Sequence, residues 1–241
     1  NDTIIVSLTT HSIRVAQVAR TAIWSILQNT YRDIHIVLTL YKDDVKLIPS
    51  DLWLLIDKGF VELIIADKDL GPHLKYFYSM QKYRNNPVIT IDDDILYPET
   101  MIEKMVELYN QHNCIVGRRC YEIINLNYIS WMKNGCKQSL EPTMKLFATG
   151  IGGILYPPNY LDLSDKNINE ILTIKYDDDF YLKALEVRKN LKIVCNTLEK
   201  NLYKKNLNDW HTQSIALWNK NKSHASDGIL LFKKEFEQCL N

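Results

Sequence analysis

The sequence is poor in residues that break or staple a chain, with eight glycines, seven prolines and five cysteines in 241 residues. With no repeating glycine period, collagen-like and low-complexity architectures are excluded. The cysteines, Cys114, Cys120, Cys136, Cys195 and Cys239, contain no CxxC pair, so zinc or dithiol redox chemistry finds no support. Odd in number and widely spaced, they read as reduced thiols in a cytoplasmic setting. Neither charge is in excess, since 29 Lys plus Arg balance 29 Asp plus Glu, and no block of five like charges occurs. A nucleic-acid arm or polybasic tether is therefore absent, no nucleic-acid partner is expected, and any anionic ligand must be held by a local site. The longest apolar runs, such as Ile34–Leu40 and Leu52–Ile56, fall far short of the ~20 residues of a membrane span. No transmembrane segment is expected, so any membrane association would be peripheral, at the inner face. Asn1-Asp2-Thr3 leads into a strand-like run with no basic n-region and no apolar h-region, which does not suggest a secretory leader.

What remains is a composition of 46% hydrophobic and 24% charged residues, that of an ordinary globular protein. Ile4–Leu8 reads as a strand, and Val15, Val18, Ala19, Ala22, Ile23 and Ile26 recur at helical spacing. Ile34–Leu40 is a second strand, Leu47–Lys58 a helix closed by Gly59, Val61–Ala66 a third strand, Tyr76–Tyr83 part of a helix and Val88–Ile91 a fourth strand. Such alternation predicts an α/β fold with a mostly parallel sheet flanked by helices, whose ligands bind at the carboxyl ends of the strands. Further on, Pro98–Tyr109 looks helical, Asn113–Arg118 extended, Asp178–Val187 helical and Leu191–Cys195 extended, while Asn125–Ser139 matches no pattern. With no linker or repeat, 1–241 is read as a single domain.

Three adjacent carboxylates, Asp92-Asp93-Asp94, follow the fourth strand. They repel one another, so solvent or a cation must offset them, and a hard ion such as Mg²⁺ or Mn²⁺ fits oxygen donors that also meet a diphosphate. A solvated acidic turn is the plainer alternative. A second triplet, Asp177-Asp178-Asp179, opens an amphipathic helix. N-terminal capping accounts for one carboxylate, and the excess leaves room for a general base. Asp67 to Lys75 offers a turn with Lys75 as a cation for phosphate or for a neighbouring acid. Gly150, Gly152 and Gly153 match neither a Walker nor a Rossmann fingerprint, and suit close backbone approach to a ligand or a simple bulge. Arg118-Arg119 could contact phosphate or acceptor, or be surface arginines. His211 and His224 are each open as a metal ligand or an ordinary surface histidine.

In order along the chain, these pieces resemble a glycosyltransferase of the GT-A type, close to its family 2. The matching elements are Val6-Ser7-Leu8-Thr9-Thr10 with Arg14, Ser25-Ile26-Leu27-Gln28-Asn29-Thr30-Tyr31, Leu70-Gly71-Pro72 with Lys75, Asp92-Asp93-Asp94, the glycine pair and the late acidic motif, spanning residues 4 to 190. The resemblance implies a Rossmann-like GT-A fold with a smaller acceptor-side subregion, roughly 1–112 binding nucleotide and 113–241 the acceptor. It places Thr9, Arg14, Asp67, Lys75, Asp92, Asp93, Gly152 and Gly153 around the nucleotide-sugar. Asp94, Asp92 and His211 become ligands of Mn²⁺ or Mg²⁺, and Asp179, with Asp178 its competitor, the base. The sequence departs from the family in having Asp-Asp where Glu-Asp is common, and Asp at the centre of the DxD. The implied reaction is metal-dependent sugar transfer from a nucleotide-sugar, UDP favoured, to a glycan or glycolipid hydroxyl with inversion, in polysaccharide or glycoprotein-glycan synthesis.

Two other functions remain open on sequence. A nucleotidyltransferase also uses paired carboxylates and a divalent ion, but usually has a glycine-rich loop after its first strand, and Thr9–Arg14 contains no glycine. A non-catalytic carbohydrate- or nucleotide-binding module would use the 14 tyrosines and 5 tryptophans as stacking surfaces.

Overall fold

The structure, a computed structural model, describes residues 3–161, 165–196, 205–206 and 225–240. Strand β1 (Ile4–Thr9) is followed by helices α1 (Ile13–Gln17) and α2 (Ala19–Leu27), strand β2 (Ile34–Tyr41), helix α3 (Ser50–Asp57), strand β3 (Glu62–Ala66), helix α4 (Phe77–Lys82) and strand β4 (Val88–Thr90). Next come β5 (Ile95–Leu96), α5 (Met101–His112), β6 (Ile115–Gly117), β7 (Cys120–Glu122), α6 (Tyr128–Lys133), β8 (Ser139–Thr143), β9 (Leu146–Ala148) and β10 (Ile154–Tyr156). Helices α7 (Asp165–Thr173) and α8 (Asp178–Arg188), strands β11 (Ile193–Cys195) and β12 (Lys205–Asn206), and helices α9 (Ala225–Leu231) and α10 (Lys233–Gln238) complete the described α-helices and strands, and short 3-10 turns cover Lys42–Leu47, Gly71–Lys75 and Gly150–Gly152.

Eight strands form one sheet in the order β3-β2-β1-β4-β10-β6-β11-β8. The pairs β3/β2, β2/β1, β1/β4 and β6/β11 are parallel, while β10 runs antiparallel between β4 and β6, and β8 antiparallel on β11. This is the mostly parallel α/β arrangement the alternating pattern predicts. Side chains alternate across β1: Ile4, Val6 and Leu8 join a core with Ile23, Leu52 and Met105, whereas Ile5 joins one with Phe77, Leu182 and Phe236. Both faces are therefore buried under helices, which is why the strands read as continuous apolar runs.

Local chemistry corrects several boundaries. The helical spacing from Val15 to Ile26 is interrupted at Val18 (φ −121°), dividing it into α1, which carries buried Arg14, and α2, which covers the sheet. The single helix expected over Leu47–Lys58 starts only at Ser50, because Pro49 holds the preceding Ile48 extended. Asn113, expected to open a strand, instead closes α5 in the left-handed conformation at φ 48°. The unassigned stretch Asn125–Ser139 contains α6, capped by the Asn127 side chain accepting from the Ser130 N–H at 3.2 Å and anchored by fully buried Trp131. All five cysteines are free and only Cys136 is exposed. No helix among the described residues is long and apolar enough to cross a membrane.

Candidate active site

Parallel strands bring their carboxyl ends to one edge, so the segments after β1, β4 and β6 meet there. Because β10 runs the other way, the glycine turn before it reaches the same edge. Helix α8 leads back into β11, parallel to β6, so the start of α8 lies there too. Chain direction alone thus gathers Arg14, Asp92–Asp94, Gly150–Gly153 and Asp177–Asp179.

Two cations organise the carboxylates. Arg14 donates through Nε to Asp93 at 3.0 Å, makes a second, shorter bond to Asp93, and reaches Asp94 at 2.8 Å. Lys75 lies 3.0 Å from Asp92 and 2.8 Å from Asp178. Burial opposes the charge on Lys75, but Asp178, Asp92 and Asp179 outweigh it and hold the ammonium well above its ordinary pKa. Asp177 occupies the N-cap position of α8 without a side-chain capping bond. Asp178 turns instead to Lys75, and Asp179 accepts the backbone N–H of Gly150 at 3.2 Å. Capping therefore does not account for these carboxylates.

Asp179 is partly exposed, and burial of its carboxyl, reinforced by Asp178 and opposed by Lys75, pushes it up to about 8. A carboxylate poised near neutrality is suited to accept a proton. Asp94 is pushed up to about 6, first by burial and then by Asp93, against Arg14.

The surrounding frame explains two sequence motifs. Ser25 Oγ accepts the Tyr97 N–H at 3.1 Å, while Asn29 donates to the Pro98 carbonyl at 3.0 Å and accepts the Ile102 N–H at 3.2 Å. The Ser25–Tyr31 element thereby clamps the chain leaving Asp94. Tyr97 returns its hydroxyl to the acids, accepting the Asp92 N–H at 2.9 Å and donating to the Ile151 carbonyl at 3.3 Å. His73, buried under Lys75, meets the Ile174 carbonyl through Nε2 at 3.1 Å and Tyr76 Oη through Nδ1 at 2.6 Å. A carbonyl only accepts, so Nε2 carries the proton and Nδ1 takes the tyrosine's.

The residues singled out in sequence fall into three groups. Arg14, Lys75, Asp92, Asp93, Asp94, Asp178 and Asp179 converge. Thr9 is at the same edge, with its hydroxyl donating to the Thr39 carbonyl at 2.7 Å, and Asp67 is exposed just after β3. Gly152 packs against Arg118 and Arg119, where an added Cβ would lie 3.0 Å from the Arg119 nitrogen, and Gly153 turns the chain at φ 85°. His211 and His224 lie outside the described residues. Gly150, which the sequence reads with Gly152 and Gly153 as a close backbone approach or a simple bulge, lies against the acids: its hypothetical Cβ would sit 3.0 Å from Lys75 Nζ, 3.2 Å from Asp92 and 3.5 Å from Asp179. Tyr97 and His73 are the residues the sequence reading missed. Their only signal is position, one just past the acidic triplet and the other two residues before Lys75.

Among the described residues no three His, Cys, Asp or Glu side chains already form a metal-holding group. The donor chemistry nevertheless fits a hard cation. Asp92, Asp93, Asp94, Asp178 and Asp179 face Arg14 and Lys75, leaving negative charge in excess, and the Asp92 side chain keeps 28% exposure.

No family model and no curated protein matches the chain. The sheet order and the acidic edge define a fold of the GT-A glycosyltransferase type. Among solved structures, residues 1–349 of TarS from S. aureus, in complex with UDP, share it at a TM-score of 0.58 and 10% identity, over 83% of this chain and 59% of that one. A structure of S. aureus TarS gives 0.52 and 12%, over 83% and 35%. A mannosyltransferase from Pyrobaculum calidifontis, in complex with GDP-Man and Mn²⁺, gives 0.49 and 10%, over 83% and 58%, too loose an overlap to bear on the argument. This chain thus spans less than two thirds of each of these structures, and at such identities the likeness is one of fold.

Proposed function

We propose that the chain is a nucleotide-sugar-dependent glycosyltransferase acting on a hydroxyl of a glycan or glycolipid acceptor. The observation that carries this reading is the cluster itself. Lys75 ties a strand-end acid, Asp92, to a helix-start acid, Asp178, and the next acid, Asp179, accepts from Gly150, all at the carboxyl edge of a GT-A-type sheet. UDP is the favoured nucleotide because the TarS structure with the higher TM-score holds UDP.

In this reading Asp179 takes the proton of the acceptor hydroxyl. The freed oxygen bonds to the anomeric carbon from the face opposite the leaving group, and the glycosidic C–O electron pair departs with the nucleoside diphosphate, inverting the centre. General-base assistance of this kind contributes ~10² to 10⁴ in rate. Lys75 holds Asp92 and Asp178 in place, so Asp178 stays ion-paired and Asp179 is left to move the proton. Arg14 fixes Asp93 and Asp94, while Thr9, Asp67, Gly152 and Gly153 lie toward the nucleotide-sugar. Asp94 and Asp92 would hold Mn²⁺ or Mg²⁺, with His211 as the candidate third ligand. When bound, that ion supplies charge neutralisation for the departing diphosphate.

Incubation with UDP- and GDP-sugars plus Mn²⁺, with product analysis, tests the proposal. Slow release of nucleoside diphosphate and free sugar is expected. Pyrophosphate release would identify a nucleotidyltransferase, and binding without turnover a non-catalytic module.

A further inference from the structure

Arg14 and Lys75 each hold two carboxylates, and Arg119 holds none among the described residues. It sits partly exposed between β6 and β7, donating through Nη1 to Thr149 Oγ1 at 3.1 Å and through Nη2 to the Tyr121 hydroxyl. Its guanidinium carbon lies 5.0 Å from the Tyr121 ring centroid. The residue after Thr149 is Gly150, whose N–H reaches Asp179 at 3.2 Å, so consecutive residues of one turn touch Arg119 and the candidate base. Tyr128 flanks them, its ring 6.0 Å from Tyr121 and 5.4 Å from Phe180. Burial and then the Asp179 charge raise its hydroxyl pKa, while Arg119 opposes, placing it within electrostatic reach of both.

An arginine whose side-chain hydrogen bonds go to neutral hydroxyls keeps spare N–H groups and an unmatched charge. Its planar fork suits a carboxylate or phosphate, and here the ring and the two hydroxyls already orient it. Lys75 ties Asp92 to Asp178, while Arg119 is tied through Thr149 to the turn whose next residue, Gly150, meets Asp179. A proton taken by Asp179 comes from the acceptor, so Arg119 stands where the rest of the acceptor would lie.

We propose that Arg119, with Tyr121 and Tyr128, forms a subsite for an acidic group, carboxylate or phosphate, so that the acceptor is an anionic glycan. This rests on reading Asp179 as the base of a sugar transferase.

The test uses acceptors matched except for charge: p-nitrophenyl β-D-glucuronide against the glucoside, and glycerol 3-phosphate against glycerol. Each is titrated into the wild type and Arg119→Met with donor and Mn²⁺, and nucleoside diphosphate release is followed. In at least one pair the acidic member should alter the release rate at a concentration about tenfold or more below its neutral partner, as one charge-assisted bond implies. Arg119→Met should erase that preference, and Arg119→Lys, which keeps the charge and loses the fork, should retain part of it. Equal or absent responses to both members of each pair overturn the proposal, as does a preference that survives in Arg119→Met. A preference intact beside a raised donor KM assigns the anion to the donor's diphosphate and overturns it too. Acceptor-free donor hydrolysis by the wild type separates the two claims, because its absence is a failure of the transferase reading itself.

Discussion

The ammonium of Lys75 lies 2.8 Å from the Asp178 carboxylate, joining the turn after β3 to the start of α8. The same nitrogen reaches Asp92 at 3.0 Å, so one buried cation sets the spacing between the two acidic motifs. Whatever moves Lys75 moves both halves of the site.

Lys75→Gln should be costly, because it leaves Asp178 buried beside Asp179 without its counter-charge. Removing one partner of a buried pair costs about 3–5 kcal/mol. Urea denaturation should show a lower midpoint at an unchanged slope. An unchanged midpoint would mean that the cluster is solvated rather than organised by Lys75.

Asp179→Asn keeps the shape of the side chain and the bond from Gly150 but cannot accept a proton. Transfer should fall by ~10² to 10⁴, while donor binding, read by thermal shift, persists. Retained turnover would remove Asp179 from the base role.

Gly150→Ala would place a methyl 3.0 Å from Lys75 Nζ and 3.2 Å from Asp92. Both atoms end side chains and can yield, so stability should change by less than ~1 kcal/mol. The displaced acids should nevertheless lower turnover by ~10- to 100-fold. Full activity would show that the spacing of Lys75 and Asp92 does not matter.

His73 and Glu186 should tilt the pH dependence of stability in opposite directions. Burial lowers His73 from 6.5 to about 4, so between those values the unfolded chain binds a proton that the native state refuses, and stability is lost as pH falls. Burial raises Glu186 from 4.5 to about 7 despite Lys183, so there the native state holds a proton that the unfolded chain has released, and stability is lost as pH rises. Denaturation between pH 4.5 and 6.5 should show His73→Gln losing relatively more stability as pH rises than the wild type, and Glu186→Gln relatively less. Identical slopes in all three proteins would refute both assignments.

The sheet and its acidic edge were legible because they rest on local pattern. β-branched runs announce β1, β2 and β4, and three carboxylates directly after β4 need nothing distant to be noticed. The partners of those carboxylates are set by chain direction in space. Arg14 meets Asp93 and Asp94 because β1 and β4 are parallel neighbours, which brings the segments after both strands to one edge. Gly150 reaches Asp179 only because β10 is inserted antiparallel, a reversal three-residue strands do not announce. Ser25 and Asn29 were noticed as part of a family motif, but their work as a clamp on Tyr97 and Ile102 depends on contacts across the fold.

The most direct measurement is a thermal-shift screen of UDP-, GDP-, CMP- and dTDP-sugars with and without Mn²⁺, on the wild type and on Asp94→Ala. One nucleotide class should stabilise the wild type in a metal-dependent way, by about 2.7 kcal/mol at a hundredfold excess over Kd, and Asp94→Ala should abolish that gain. No stabilisation by any donor, with or without metal, would contradict the account and leave Asp92–Asp94 as an acidic turn held by Arg14 and Lys75.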